Sequence, residues 1–195
     1  ILQEISPTIK TQPDSLIKKT ALRTLGNIQQ QLGNLEESQK VLLQGLKIAQ
    51  SLELPQETAL TELSLGNTAR SLGKIKNAIN YYENAAKIAS NPLTKIQAQI
   101  NQFSLLIENK QIAAAKTLIP TIQSQLPNLP ENQAGIYARI NLARTLTKST
   151  TKSKTNNKIG NQKDIAQILA TSVQQAKSIG DERAESYALG SLAEV

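Results

Sequence analysis

The sequence predicts an all-α protein in which antiparallel helix hairpins stack as an open solenoid. Apolar residues recur at helical spacing along most of the chain, and a short phrase with two glycines recurs at a long interval. Aromatic residues make up only 3% of the 195 residues. The core must therefore be built from leucine, isoleucine, valine and alanine, which favours helix-on-helix packing.

The repeated phrase is Leu25-Gly26-Asn27, which recurs 40 residues later as Leu65-Gly66-Asn67 and again as Leu189-Gly190-Ser191. In the first two copies a second glycine follows seven residues on, at Gly33 and Gly73. The first glycine lies inside a helix, where it costs about 1 kcal/mol relative to alanine, so we expect a neighbouring helix to approach it closely. The second glycine lies where the apolar period stops, which predicts a helix end with positive φ.

The helical pattern divides the chain into four full hairpins and one partial hairpin, at 14–51, 56–90, 93–126, 131–180 and 181–195. The fourth hairpin contains a polar insert, 148–163, whose Ser, Thr, Asn and Lys content predicts a flexible, solubilising loop. Pro120 should kink or shorten the second helix of the third hairpin. Because the chain begins with Ile1 and Val195 ends it within a helical pattern, we expect it to be a fragment of a longer protein, with residues 1–13 as the tail of a preceding unit.

The composition excludes most common active sites. The chain has no His and no Cys, so it can form no disulfide, Ser-His-Asp triad, cysteine nucleophile or histidine-ligated zinc. Carboxylate chemistry with Mg²⁺ and lysine chemistry stay open to such a chain, but the scattered acidic residues near helix starts are explained by the helix dipole. We therefore predict that the chain is not an enzyme and has no catalytic residue, cofactor site or metal site.

The net charge of +7 could suit a nucleic-acid partner, but the sequence argues against one. The positive charge is spread thinly and aromatic residues for base stacking are nearly absent. No stretch approaches the roughly 18 apolar residues of a membrane span. The composition permits a cytoplasmic or an exported protein, so the compartment stays open.

These phrases resemble the tetratricopeptide repeat. The family has a small residue, a glycine, an alanine, an aromatic or leucine and a second alanine at set positions. These positions fall on Gly66, Gly73, Ala78, Tyr82 and Ala85 in the second hairpin. In the first hairpin they fall on Gly26, Gly33, Ser38, Leu42 and Gly45. The resemblance implies a right-handed superhelix of hairpins that binds an extended peptide or a partner helix on its concave face.

Three segments also resemble, more closely, the repeat region of cyanobacterial CHAT-domain proteins. In those bacterial proteins, such repeats precede a caspase-like domain. The segments are IQAQINQFSLLIENKQ, LPNLPENQAGIYARINLA and DIAQILATSVQQAKSIGDERAESYALG. The His and Cys of the caspase-like domain have no counterpart here. The resemblance implies a non-enzymatic docking or sensing arm of a larger protein.

Carried over position by position, the resemblance predicts which residues would line the concave face: Arg23, Asn27, Gln30, Leu63, Asn67, Arg70, Arg144 and Lys148. Asn side chains can hydrogen-bond both donors and acceptors of an extended peptide, and Arg or Lys can pair with its carboxylates. The alternative is that the asparagines are ordinary polar helix positions. The basic patch of Lys18, Lys19 and Arg23 is interpreted as a solvated helix face.

The predicted function is therefore a scaffold that binds a protein or peptide. The alternative from another class is a purely structural spacer or a self-association module, which leaves a homo-oligomer open.

Overall fold

The structure is a computed structural model and describes residues 8–9, 11–151 and 159–195. This part of the chain contains no β-strand, which confirms the predicted all-α class. Nine α-helices of eleven or more residues lie within it. They are α1 (Leu16–Gln31), α2 (Leu35–Ser51), α3 (Pro55–Ser71), α4 (Ile75–Ile88), α5 (Pro92–Glu108), α6 (Ile112–Gln125), α7 (Gln133–Thr151), α8 (Gln162–Ser178) and α9 (Glu182–Leu192).

The chain divides into two compact units. The first unit is Ile1–Ala98, and the second unit is Gln99–Val195. In the first unit, α1 packs on α2 and α3 packs on α4 as antiparallel hairpins, and α2 also packs on α3. In the second unit, α7 packs on α8 and α8 packs on α9. In each of these five pairs, helices that are neighbours in the sequence are neighbours in space, as expected for stacked helical hairpins.

Local sequence sets where several helices begin and end. The Ser15 hydroxyl accepts from the backbone N–H of Lys18 at 3.2 Å, and Asp181 caps α9 by accepting from the Ala184 N–H at 2.9 Å. Gly33 and Gly73, which follow the first helix of each early hairpin, have φ of +82° and +70°. The positive φ predicted for these two glycines is therefore confirmed, and it lets the chain reverse direction into the next helix.

The interior of the first unit is built from leucine, isoleucine, valine, alanine and one buried tyrosine. Leu22, Leu25, Val41 and Ile48 form one apolar cluster between α1 and α2. Leu42 and Leu46 of α2 meet Leu65 of α3 in a second cluster, which joins the first hairpin to the next.

In the first two copies of the repeated phrase, the glycine faces a side chain of the second helix of its hairpin. A Cβ placed on Gly26 would come within 2.5 Å of the Leu42 side chain, and one on Gly66 within 2.5 Å of the Tyr82 ring. The expected close approach is therefore present at both glycines. Apart from its chain neighbours and its own helix backbone, no described atom lies within 4 Å of the corresponding Cβ position on Gly190, which lies in the last described helix, α9.

The polar insert between α7 and α8 is shorter than the predicted range 148–163. Helix α7 extends to Thr151, and α8 begins at Gln162. Ile159 is buried, and its carbonyl accepts from the Ser149 hydroxyl at 3.1 Å. Three of the lysines of the predicted loop, Lys152, Lys154 and Lys158, lie outside the described residues.

Pro120 does not end the helix in which it lies, because α6 continues through it to Gln125. A short 3-10 turn at Leu126–Asn128 then leads toward α7. Within the described ranges, no helix has the length and apolar content to cross a bilayer.

Candidate functional site

Six of the predicted site residues lie in two rows on neighbouring helices of the first unit. The row on α1 and the row on α3 have the same spacing of four and then three residues, which places each row on one helix face. Helices α1 and α3 contact each other. All six residues are half-buried: Arg23, Asn27 and Gln30 on α1, and Leu63, Asn67 and Arg70 on α3.

The row on α3 is tied into the packing of its own hairpin. The Tyr82 hydroxyl donates to Asn67 Oδ1 at 2.9 Å, so this asparagine anchors the buried tyrosine of α4. Leu63 packs against an apolar cluster of Ala85, Ala86 and Ala98. Asn67 and Leu63 therefore have structural contacts whether or not a ligand binds.

The row on α1 contains an unsatisfied donor. Arg23 Nε is buried and has no hydrogen-bond partner in the described structure. Burial lowers the pKa of the Arg23 guanidinium from its ordinary value, because the charge is partly removed from water. A buried donor left without a partner costs about 1–3 kcal/mol, which an incoming acceptor would recover in part.

One residue of the predicted basic patch is not on a solvated face. Lys19 is 0% exposed and forms an ion pair with Glu57 of α3, so the interpretation of this lysine as solvated is corrected. Burial, with a smaller contribution from the charge of Arg23, lowers the pKa of Lys19 to about 8. This pairing could not be predicted from the helical pattern, because the two residues are 38 positions apart.

Glu62 is a second buried charged residue beside these rows. Its side chain is 5% exposed, and its Oε2 atom has no hydrogen-bond partner among the described residues. Burial raises the pKa of Glu62 to about 7, and a hydrogen bond with Asn84 opposes this shift. The negative charge of Glu62 in turn helps to raise the pKa of Tyr81, after the larger effect of burial.

In the second unit, Arg144 lies over an aromatic ring. Its guanidinium carbon is 4.7 Å from the centre of the Tyr187 ring, and Arg144 Nη1 donates to the Tyr187 hydroxyl. The Tyr137 ring lies 6.5 Å from that of Tyr187, centre to centre. Lys148, one turn beyond Arg144 on α7, is exposed.

Tyr187 was absent from the predicted site residues, although the repeat register could have found it. It precedes Gly190 by three residues, as Arg23 precedes Gly26 and Leu63 precedes Gly66. Tyr187 is 43% exposed on α9, which leaves part of the ring and the guanidinium stacked on it available to a partner. The first-helix face therefore carries an aromatic residue at this position in the last repeat.

Arg139 is a buried cation with a structural role. It is 5% exposed and donates to the carbonyls of Leu126 and Leu129, each at 3.0 Å. These bonds fix the turn between α6 and α7. Beside it lies a groove of about 410 Å³ between these helices and α8, lined by Gln123, Leu126, Pro127, Arg139, Gln167, Ile168, Thr171 and Gln175.

A larger groove of about 640 Å³ follows α1. Its lining is almost wholly apolar and consists of Ile9, Leu16, Ile17, Thr20, Ala21, Thr24, Leu25 and Ile28. Leu16 and Ile17 are 51% and 82% exposed. No group of three or more His, Cys, Asp or Glu side chains that could hold a metal occurs in the described part of the chain.

Comparison with known proteins agrees with this geometry. Residues 16–91, which contain the first two hairpins, match the tetratricopeptide repeat family. The fold is similar to the crystal structure of nearly identical TPR-like repeats of a kinesin light chain from Podosopora anserina. That likeness has a TM-score of 0.63 at 18% sequence identity and covers 89% of this chain and 82% of the other. No curated protein matches the sequence.

At 18% identity the structural likeness shows the fold alone, which is that of TPR-like repeat solenoids. Repeats of this kind are generally non-catalytic, and stacked repeats offer extended surfaces to protein partners. The repeat match and the fold together support a scaffold for protein–protein interaction.

Proposed function

We propose that the chain binds an extended peptide or a partner helix through the first-helix faces that carry the predicted site residues. The observation that carries this proposal is the unpartnered Nε of Arg23, a buried donor in a row of polar side chains. Asn27 and Gln30 continue the row with amide groups that can both donate and accept. A carboxylate or backbone carbonyl of a peptide would supply the acceptor that Arg23 lacks.

The charge of the second unit favours an acidic partner. Helix α7 contains no Asp or Glu, and it carries Arg144 and Lys148 one turn apart. Stacking on Tyr187 restricts the rotation of the Arg144 guanidinium, so less side-chain entropy is lost when a carboxylate binds. The net charge of +7 adds a long-range attraction for acidic segments.

We further propose that this scaffold is the docking arm of a larger CHAT-type protein. The support is the resemblance of three sequence segments, the first beginning at Ile96 and the last ending at Gly190. In this arrangement the repeats would present a bound protein to a domain outside the 195 residues.

A purely structural or self-associating module is the second candidate function. The bond from Tyr82 to Asn67 and the packing of Leu63 favour it, since both give site residues a role inside the fold. The two functions differ in what substitutions of the polar rows do. In a spacer these substitutions change stability only, whereas in a binding face they change affinity at constant stability.

The test begins with peptides selected from a random library on the intact chain. Affinities of the selected peptides are then measured by fluorescence anisotropy for Arg23→Ala, Asn27→Ala and Arg144→Ala, and melting temperatures are measured in parallel. We expect acidic peptides to be enriched. We expect each arginine variant to lose about tenfold or more in affinity, which corresponds to about 1.4 kcal/mol.

Lys47→Ala is the matched control, because Lys47 is an exposed cation on the second helix α2 and lies outside both rows. It should leave affinity within about twofold of the original chain. The proposal is contradicted if Lys47→Ala weakens binding as much as Arg23→Ala does. It is also contradicted if the arginine variants lower the melting temperature and leave the affinity unchanged.

A further inference from the structure

Glu62 occupies an interior position of the second hairpin that the first hairpin fills with a leucine. Both residues precede the glycine of the repeated phrase by four positions, Leu22 before Gly26 and Glu62 before Gly66. Leu22 is 1% exposed and Glu62 is 5% exposed. The second copy of the repeat therefore has a carboxyl group at an interior position where the first copy has the apolar side chain of leucine.

The surroundings of Glu62 do not compensate a negative charge. From α4 the carboxyl is faced by the Tyr81 phenol and the Asn84 amide, and neither carries a positive charge near neutral pH. The buried cation of α1, Lys19, is paired with a different carboxylate, that of Glu57. Oε2 of Glu62 accepts no hydrogen bond.

The other helices packed around α3 bring mostly apolar groups. Leu42 and Leu46 of α2 pack against Leu65, and Ala98 of α5 packs with the alanines of α4. No cation of a neighbouring helix is among the causes that shift the pKa of Glu62, and the charge of Glu62 is not among those that shift the pKa of Arg23 on α1. An ionised Glu62 would thus be a buried charge without an oppositely charged partner, which is strongly unfavourable.

We propose that Glu62 makes the second hairpin a proton-dependent part of the fold, with α3 and α4 packed as observed when its buried carboxyl is protonated and loosened when that carboxyl ionises. This inference is independent of the proposed peptide binding, because it concerns the packing of α3 on α4. If both are correct, rising pH also loosens the helix that carries Leu63, Asn67 and Arg70.

The direction of the effect follows from proton linkage. Burial raises the pKa of Glu62 from 4.5 to about 7 in the folded chain. Between these two values the folded state binds more protons than the unfolded state, so stability falls as pH rises through this window. Below about pH 4.5 and above about pH 7 the contribution of Glu62 is constant. The full shift corresponds to about a 300-fold increase in the unfolding equilibrium constant.

The composition makes this window unusually easy to observe. The chain has no His and no Cys, so the α-amino group is the only other group with an ordinary pKa between about 5 and 8.5. Lys19 titrates at about pH 8, above the window, and its lowered pKa acts in the opposite direction at higher pH.

The experiment measures urea unfolding of the full chain by far-UV circular dichroism at pH 5 and pH 8. Hydrogen exchange at the same two pH values gives protection factors for each helix. We expect the protection of α3 and α4 to fall by one to two orders of magnitude from pH 5 to pH 8, while that of α8 changes little. Glu62→Gln should remove the pH dependence, and Glu62→Leu should remove it and raise stability at pH 8.

Glu36→Gln is the control, because Glu36 is an exposed glutamate in the first turn of α2 and should leave the pH dependence intact. Identical pH profiles for the original chain and both Glu62 variants would overturn the proposal. If neither variant folds, ¹³C-NMR titration of the Glu62 carboxyl in the original chain decides. A pKa above 6 supports the proposal, and a value near 4.5 contradicts it.

Discussion

The two hairpins of the first unit have one backbone plan and different interiors. Where α2 packs on α1, the space above Gly26 is filled by Leu42. Where α4 packs on α3, the space above Gly66 is filled by Tyr82. Both fillers are 0% exposed. Gly33 and Gly73 follow the two first helices, and both have a positive φ. The glycines set the geometry, and the side chain opposite them can then vary from leucine to tyrosine.

The polar interior differs more than the apolar contact does. The first hairpin contributes the buried Lys19, whose equivalent in the second hairpin is the alanine Ala59. The second contributes the buried Glu62, whose equivalent in the first is Leu22. Lys19 has an ion-pair partner, whereas Glu62 Oε2 has no hydrogen-bond partner. The repeat therefore tolerates a buried ionisable side chain at more than one position, and the one in the second hairpin has no oppositely charged partner.

The largest expected effect is loss of the side chain opposite the glycine. Tyr82→Ala should cost about 3–5 kcal/mol and Leu42→Ala about 2–5 kcal/mol, because each leaves a cavity between two helices. Tyr82→Leu gives the second hairpin the residue that faces the glycine in the first, so it should reduce the free energy of unfolding by less than Tyr82→Ala does. Urea unfolding monitored at 222 nm gives all three values. Equal losses for Tyr82→Leu and Tyr82→Ala would show that the apolar contact with the glycine is not what stabilises the hairpin.

A smaller effect is expected from the hydrogen bond between Tyr82 and Asn67 in the second hairpin. Tyr82→Phe keeps the ring over Gly66 and removes the bond to Asn67, so it should cost about 1 kcal/mol. Tyr137→Phe is the comparison, because in the described structure the Tyr137 hydroxyl makes no hydrogen bond. That variant should change stability by a few tenths of a kcal/mol at most. An unchanged stability for Tyr82→Phe would mean that Asn67 does not anchor the tyrosine, which strengthens its candidacy as a ligand contact.

Features that repeat along the chain could be predicted from the sequence. The glycine spacing predicted the helix ends at Gly33 and Gly73 and the close contacts at Gly26 and Gly66, because local backbone demands recur with each copy. The register also defined the first-helix faces, and extending it to Gly190 would have identified Tyr187.

Contacts made once, between distant residues, could not be predicted. The pairing of Lys19 with Glu57 and the burial of Glu62 depend on how neighbouring helices pack, which a single helical pattern does not specify. Arg139 likewise donates to backbone carbonyls of a turn. Every residue has a backbone carbonyl, so no residue type in the sequence indicates this contact. The loop predicted at 148–163 is longer than the observed one. Serine and threonine are typical of loops, but here those up to Thr151 are part of helix α7.

The central claim is that the glycine of the repeated phrase is needed only where a second helix packs on it. Gly66→Ala and Gly190→Ala make the same chemical change within a helix, and they test this claim when their free energies of unfolding are measured side by side. We expect Gly66→Ala to destabilise by about 1–3 kcal/mol, since its Cβ would lie 2.5 Å from the Tyr82 ring. Gly190→Ala should be neutral or stabilise by up to about 1 kcal/mol, since nothing lies within 4 Å and alanine favours helix. Equal effects of the two substitutions would contradict the account.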